Sequence, residues 1–334
     1  MKRRSREMPG GGPRPAGARR RRGSAEERTS AFTSVDALLG RVHLGDNLDL
    51  MRRLPDGCCQ LVYADPPFAS GRARVGRDAN GATMRFSDGF PGGTPGWITF
   101  LKPRLIEMRR LLSPDGSLYL HLDPRVAAYA RVELDRIFGE ENFLNEIVWC
   151  YRTGSRPGRH FPRKHDTILL YAQQRGKQVF NVVRDGEYRT QGLRRDGNGR
   201  PFKRTRRGPL YFHADGPALT DVWDVPFLST VSAERTGYPT QKPLRLLELM
   251  IRTSTNRGAV VADFFCGSGT TLAAAQRLGR RWIGCDVCEA AVAVARRRLA
   301  LGSEPDPPGP NDPPVGLGDR TAPMSQGAWA GDGL

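Results

Sequence analysis

Apolar and polar positions follow two rhythms between residues 31 and 301, and neither rhythm reaches the ends of the chain. Leu61-Val62-Tyr63-Ala64 is a short apolar run that stops at Asp65-Pro66-Pro67, the profile of a buried strand. Trp97, Leu101, Leu105, Met108 and Leu112 recur at helical spacing, so a helix is expected over about 95–112, with Pro103 a place to kink or split it. Ser113-Pro114-Asp115-Gly116 then turns the chain into a strand over 117–122, and Asp123 is placed to cap a helix over 124–138. A strand is expected near 146–150, and one further apolar run covers 167–171. Pro243, at a first helical position, leads into a helix over 244–251. Strand 259–263, helix 270–278, strand 282–284 and helix 289–299 follow. Residues 71–96 carry no period and read as a long mobile loop, of a length that is usually functional or disordered. Strands alternating with helices predict an α/β domain, a mostly parallel sheet covered on both faces.

Composition separates the ends from this middle. The first thirty residues are Arg, Gly, Pro and Ser with almost nothing apolar, and read as a disordered basic arm. Residues 302–334 hold seven Gly and seven Pro and read as a disordered tail. The formal net charge is +17, of which residues 1–30 carry +7 and residues 150–210 carry +12, leaving −2 for the rest. A basic excess so confined points to a polyanion, nucleic acid above all. No stretch approaches the roughly 20 apolar residues that cross a bilayer, and the basic start lacks the apolar run of a secretory signal, so a cytoplasmic protein is expected. Cys285 and Cys288 form a C-x-x-C with no second pair or nearby histidine, so no metal is expected.

Two segments carry chemistry, each at the end of a strand. Asp263-Phe264-Phe265-Cys266-Gly267-Ser268-Gly269-Thr270 joins a strand to a helix through glycines that admit a ligand close to the backbone. The next strand ends in Asp286, nineteen residues after Gly267 and placed to accept from a ribose diol. A dinucleotide site wants a third glycine where Leu272 stands, and a P-loop wants Gly-Lys-Ser/Thr, also absent. A carboxylate beside a phenylalanine wall suits a ligand with an ammonium and a sulfonium, and S-adenosylmethionine fits. The other segment is Asp65-Pro66-Pro67-Phe68: two prolines stiffen the backbone, Asp65 and the Pro66 carbonyl accept, and Phe68 offers a flat face. Together these grip a planar heterocycle with an exocyclic amine.

At these residues the chain resembles the amino-methylating DNA methyltransferases, which methylate adenine N6 or cytosine N4. Asp65–Phe68 matches their Asp/Asn/Ser-Pro-Pro-aromatic motif and Phe265–Gly269 their Phe-x-Gly-x-Gly motif. Tyr238–Pro243 resembles the segment before the cofactor motif, and Leu44-Gly45-Asp46 the one before the catalytic strand. The motif order is that of the family's circularly permuted β group. The resemblance implies a Rossmann-like fold with a seven-stranded, mostly parallel sheet, using S-adenosylmethionine. It also implies that Asp46 contacts the cofactor's adenine and Asp286 its ribose, with Asp263, Gly267 and Gly269 along the methionine part, Thr240 and Lys242 near its carboxylate, and Phe265 and Thr270 among the other cofactor-binding residues. Phe264 stands where relatives usually have Pro, a change expected to alter packing of the turn. The expected organisation is arm 1–30, catalytic half 31–150, basic insert 151–235 for target recognition, cofactor half 236–301 and tail 302–334.

The resemblance further implies methyl transfer to a base flipped out of double-stranded DNA. Adenine N6 is favoured because the tetrapeptide begins with Asp, and cytosine N4 is the alternative. A catalytically inactive DNA-binding module is the reading of another class. Within the insert, Arg152, Arg156, Arg159, Arg163 and Lys164 interleave with aromatics, and Lys203, Arg204, Arg206 and Arg207 form a second cluster; both are expected to contact DNA. A cognate restriction endonuclease and a homodimer are the further partners considered.

Overall fold

A computed structural model of the chain describes residues 34–69, 71, 73–77, 83–151, 158–188, 190–229 and 231–301. The arm 1–30, the tail 302–334, Arg152 and Arg156 lie outside the described residues. The chain opens with helix α1 (Val35–Leu38), strand β1 (Arg41–Leu44), helix α2 (Asn47–Arg53) and strand β2 (Cys59–Ala64). A hairpin, β3 (Ala73–Arg77) with β4 (Thr83–Ser87), precedes α3 (Gly93–Leu111), β5 (Leu112–Leu122) and α4 (Pro124–Phe138). Next come β6 (Phe143–Cys150), β7 (His165–Ala172), β8 (Arg194–Arg195), β9 (Pro201–Thr205), β10 (Gly208–Tyr211) and β11 (Val222–Trp223). Helix α5 (Leu244–Ser254), β12 (Val260–Asp263), α6 (Thr270–Arg277), β13 (Arg281–Asp286) and α7 (Glu289–Ala300) close the fold.

The main sheet runs β1-β13-β12-β2-β5-β7-β6-β11. Its pairs are parallel except those that β7 makes with β5 and β6. Both faces are buried, and period-two alternation sorts the side chains between them. Val62 and Ala64 of β2 point into a core built with α3 and α4, while Leu61 and Tyr63 point into one built with α5, α6 and α7. Asp123 caps α4 as expected, accepting from the Arg125 amide at 2.9 Å. Pro103 lies inside α3 without splitting it; the carbonyl it leaves without a helical donor is that of Thr99, an exposed residue that water can serve. No helix among the described residues is long and apolar enough to cross a membrane.

Three expectations need correction. The sheet has eight strands, not seven, because Val222-Trp223 from the insert adds a parallel edge strand beside Val148-Trp149, anchored by buried Trp223. The 151–235 boundary includes β7, which sits between β5 and β6 in the main sheet; its run of buried residues from Thr167 to Ala172 belongs to the core. The insert proper therefore follows β7, and it carries a separate three-stranded sheet, β10-β9-β8. Finally, the 71–96 loop contains the β3–β4 hairpin, which helical and strand periodicity alone did not reveal.

Helix α6 starts from Gly269 at φ +74, where a Cβ would lie 2.9 Å from the Ala295 Cβ in α7. Gly269→Ala is therefore expected to lower unfolding free energy by about 2–4 kcal/mol, from left-handed backbone strain and crowding together. A drop in the urea midpoint at unchanged slope checks this.

Candidate active site

β2 and β12 pair in parallel, with Tyr63 opposite Asp263, so the segments leaving both strands emerge side by side. Asp65–Phe68 and Asp263–Ser268 flank one pocket of about 510 Å³. Asp46, Thr240, Lys242, Phe265, Gly267, Thr270 and Asp286 also line it. Gly269 does not; it serves the packing of α6 on α7 described above. A larger, more open groove of about 880 Å³ follows the outer edge of β1 and shares Asp46 with the pocket.

The Asp65–Phe68 segment is held from behind. Fully buried Trp97 of α3 donates its indole N–H to the Pro67 carbonyl at 2.6 Å. The Phe68 ring lies 6.2 Å from the ring of His121, a fully buried residue of β5. His121 Nε2 meets Asp166 Oδ2 at 3.0 Å and Nδ1 meets the Tyr63 hydroxyl at 2.8 Å. A carboxylate can only accept, so in the neutral ring Nε2–H donates and Nδ1 accepts from Tyr63. Tyr151 donates to the other Asp166 oxygen at 3.0 Å. Burial works against the Asp166 charge, but His121, Lys242 and Tyr151 together hold its carboxyl below the ordinary range. Rings continue outward from His121 through Trp149 to Tyr151 and to Phe227 of the insert, which is 42% exposed.

The glycine turn is built by carboxylates. Asp286 accepts from the Gly267 amide at 2.8 Å and the Cys288 amide at 2.9 Å, while Asp263 accepts from the Phe265 amide at 3.0 Å. Gly267 has φ +48, and a Cβ there would sit 3.1 Å from the Tyr238 ring. Phe264 is fully buried, and its carbonyl accepts from Asn47 at 2.7 Å. The Thr270 hydroxyl accepts from Arg298 at 2.8 Å. Gln241 folds the 234–244 segment, accepting from Thr236 and donating to the Glu234 carbonyl.

Charge is concentrated here. Burial pushes Asp263 up to about 7, with Asp65 and Asp286 adding to the rise. Asp286 is raised too, by burial that outweighs its amide donors. Burial likewise pushes the Cys266 thiol up, and that of Cys285 to about 12, so both stay protonated near neutrality. Asp46 caps α2, and both its oxygens accept from Arg104 Nη2 at 2.9 and 3.0 Å. Arg104 Nε also donates to Asn47 at 2.8 Å. Lys242 Nζ donates to Asp65 Oδ2. Among the described residues, no group of three or more His, Cys, Asp or Glu could hold a metal ion.

Of the basic residues expected to meet DNA, Arg159 and Arg163 are exposed and Lys164 is half-buried, all just before β7. Lys203, Arg204, Arg206 and Arg207 are exposed on the separate β9–β10 hairpin. Arg104, Asn47, His121 and Asp166 were missed from the sequence, and Tyr151, expected only among the aromatics of the basic insert, instead holds Asp166. Arg104 had a signal: it falls on the apolar stripe of α3 between Leu101 and Met108, where an unpaired charge is costly. His121 similarly interrupts the apolar strand 118–122.

The mostly parallel sheet, covered on both faces and with an acid-lined pocket at its strand ends, has the layout of a Rossmann-like α/β nucleotide-binding fold. Residues 59–297 match the DNA methylase family N6_N4_Mtase, and the chain belongs to that family. It is 27% identical over 265 residues to the DNA adenine methyltransferase YhdJ of Escherichia coli (strain K12), covering 78% of this chain and 82% of that one. It is 27% identical over 319 residues to the Type II methyltransferase M.EcaI of Enterobacter cloacae, covering 78% and 69%. Among solved structures, the cytosine-N4-specific PvuII DNA methyltransferase aligns with a TM-score of 0.52 at 17% identity, covering 77% of this chain and 85% of that one. The M1.HpyAVI–SAM complex aligns with a TM-score of 0.50 at 21% identity, covering 78% and 99%. At those identities the two structures share the fold.

Asp263 sets a pH dependence. Between about pH 4 and about pH 7 the folded protein holds a proton there that the unfolded chain has lost. Its contribution therefore lowers ligand-free stability as pH rises through that window, by at most about 1.4 kcal/mol per pH unit, and is constant above it. Asp263→Asn is expected to flatten that slope and to raise ligand-free stability on the alkaline side of the window. Denaturant titrations across the window, wild type against variant, check both.

Proposed function

We propose that the protein transfers a methyl group from S-adenosylmethionine to adenine N6 at a specific sequence in double-stranded DNA. The observation that carries this reading is the side-by-side placement of Asp65-Pro66-Pro67-Phe68 and the acid-lined glycine turn at the ends of β2 and β12.

The pocket fits the cofactor by its donor set. Asp263, whose ionisation is suppressed by burial and by neighbouring carboxylates, gains from a cationic ligand. Asp286 keeps lone pairs for a ribose diol, Asp46 faces the pocket beside Arg104, and Phe265 and Phe100 supply apolar wall. Thr240, Gly267 and Thr270 lie along the same wall. When bound, the cofactor supplies a methyl group on a sulfonium, activated for transfer to a nucleophile.

This chain's residues make the nucleophile. An exocyclic amine has its lone pair delocalised into the ring. Asp65 and the Pro66 carbonyl accept its hydrogens and draw the nitrogen towards tetrahedral geometry, while Phe68 holds the ring by stacking. The Trp97 bond to Pro67 and the His121 contact to Phe68 keep this set rigid, so alignment contributes up to about 7–11 kcal/mol. Asp65 also opposes the positive charge that develops on nitrogen. The buried, protonated thiols of Cys266 and Cys285 need take no part.

The base reaches Asp65 only when flipped from the duplex, and stacking on Phe68 offsets part of that cost. Exposed Arg159 and Arg163, half-buried Lys164 and the exposed basic residues at 203–207 hold the phosphates. Adenine is supported by Asp at the first tetrapeptide position and by similarity to a relative named as an adenine methyltransferase. Similarity to Type II methyltransferases supports a partner endonuclease, and a homodimer is a further proposal.

Expression in cells without the modification, followed by nucleoside mass spectrometry and modification-sensitive sequencing, is expected to show N6-methyladenine at one short motif. N4-methylcytosine alone would overturn the choice of base, and an unmodified genome would overturn the function. Asp65→Ala is expected to lower turnover by at least about 10²-fold while S-adenosylhomocysteine still binds. Phe68→Ala is expected to cost roughly 5- to 150-fold in kcat/KM, the equivalent of a lost stack of about 1–3 kcal/mol.

A further inference from the structure

Lys242 stands in the place that the reaction reserves for the target amine. Its ammonium donates to Asp65 Oδ2 and lies 5.6 Å from the centroid of the Phe68 ring. A carboxylate acceptor beside an aromatic face is what the exocyclic amine needs, and an ammonium satisfies both by hydrogen bonding and cation–π attraction. The two side chains are only 10% and 16% exposed, so the amine cannot reach Asp65 Oδ2 until Lys242 leaves.

The pocket also decides what draws Lys242 away. Its described lining contains five carboxylates, Asp46, Asp65, Asp88, Asp263 and Asp286, against two cations, Arg104 and Lys242. Arg104 is committed: it holds Asp46, Asn47 and the Phe100 carbonyl, and its guanidinium lies 3.8 Å from the Phe100 ring centroid. A ligand carboxylate entering this acidic pocket therefore has Lys242 as its available counter-charge, on a flexible four-carbon stem.

We propose that Lys242 is a handover residue, which occupies Asp65 in the ligand-free enzyme and releases it only when the carboxylate of the cofactor's amino-acid moiety arrives. The proposal rests on the methyltransferase reading above. It imposes an order, cofactor before base, and it keeps Asp65 paired until a ligand carrying that carboxylate is present. It also means that cofactor binding carries a cost, because only the fraction of molecules with Lys242 detached is competent to meet the carboxylate.

Removing Asp65 therefore has an uncommon consequence: loss of a site residue should tighten binding. Calorimetric titration of the full chain with S-adenosylhomocysteine is expected to give about fivefold or more tighter binding in Asp65→Ala than in wild type. The decarboxylated analogue of S-adenosylhomocysteine should show no such gain, and binding of that analogue also reports that the variant is folded. In a Lys242→Met background, Asp65→Ala should no longer tighten S-adenosylhomocysteine. Asp65→Asn gives the same comparison with side-chain volume kept, and the same direction is expected. Equal or weaker S-adenosylhomocysteine binding in both Asp65 variants, or a gain that persists with Lys242→Met or with the decarboxylated analogue, overturns the handover and leaves the methyltransferase reading standing. A wild-type protein that binds neither S-adenosylhomocysteine nor S-adenosylmethionine overturns both.

Discussion

The parallel pairing of β2 with β12 is the constraint from which the site follows. Parallel neighbours end at the same edge of the sheet, so with Tyr63 opposite Asp263 the next residues of each strand face one pocket. Because both faces of β2 are buried, a slip of one residue would send Val62 and Ala64 into the space of Leu61 and Tyr63. It would also pull the Tyr63 hydroxyl from His121. Register, core packing and the support behind Phe68 therefore stand or fall together.

Placing so many carboxylates at that edge has an electrostatic cost, and the fold handles each differently. Asp46 is neutralised by Arg104 and doubles as a helix cap. Asp166 keeps its charge through His121 and Tyr151. Asp65 is matched by Lys242. Among the described residues no cation is paired with Asp263, and burial raises its pKa towards neutrality. The least compensated carboxylate thus lies in the glycine turn, where a cationic ligand gains most.

The insert is joined to this centre by aromatic packing. Trp149 lies between the His121 ring and Phe227, and its indole donates to the Val225 carbonyl at 2.8 Å. Trp223 locks the same stretch onto the sheet edge. The segment that follows the basic hairpin is thereby tied, ring by ring, to the residues that hold Phe68.

Much of this could be read along the chain. The ends of α4, the cap at Asp123, the start of α5 directly after Pro243, the two strand-end motifs and the alternation of strand and helix rest on neighbours a few residues apart, where periodicity and the special chemistry of Pro and Gly act. The β3–β4 hairpin and the two-residue β11 escaped because short strands have a weak local signature. So did the assignment of β7 to the main sheet, since an apolar run does not reveal its neighbours. The amino-acid order settled which residues have the chemistry to act. Folding settled which of them meet: Lys242 with Asp65 across 177 positions, Arg104 with Asp46 across 58, His121 with Asp166 across 45. Those pairings depend on strand order and register, properties of the whole sheet that no local stretch encodes.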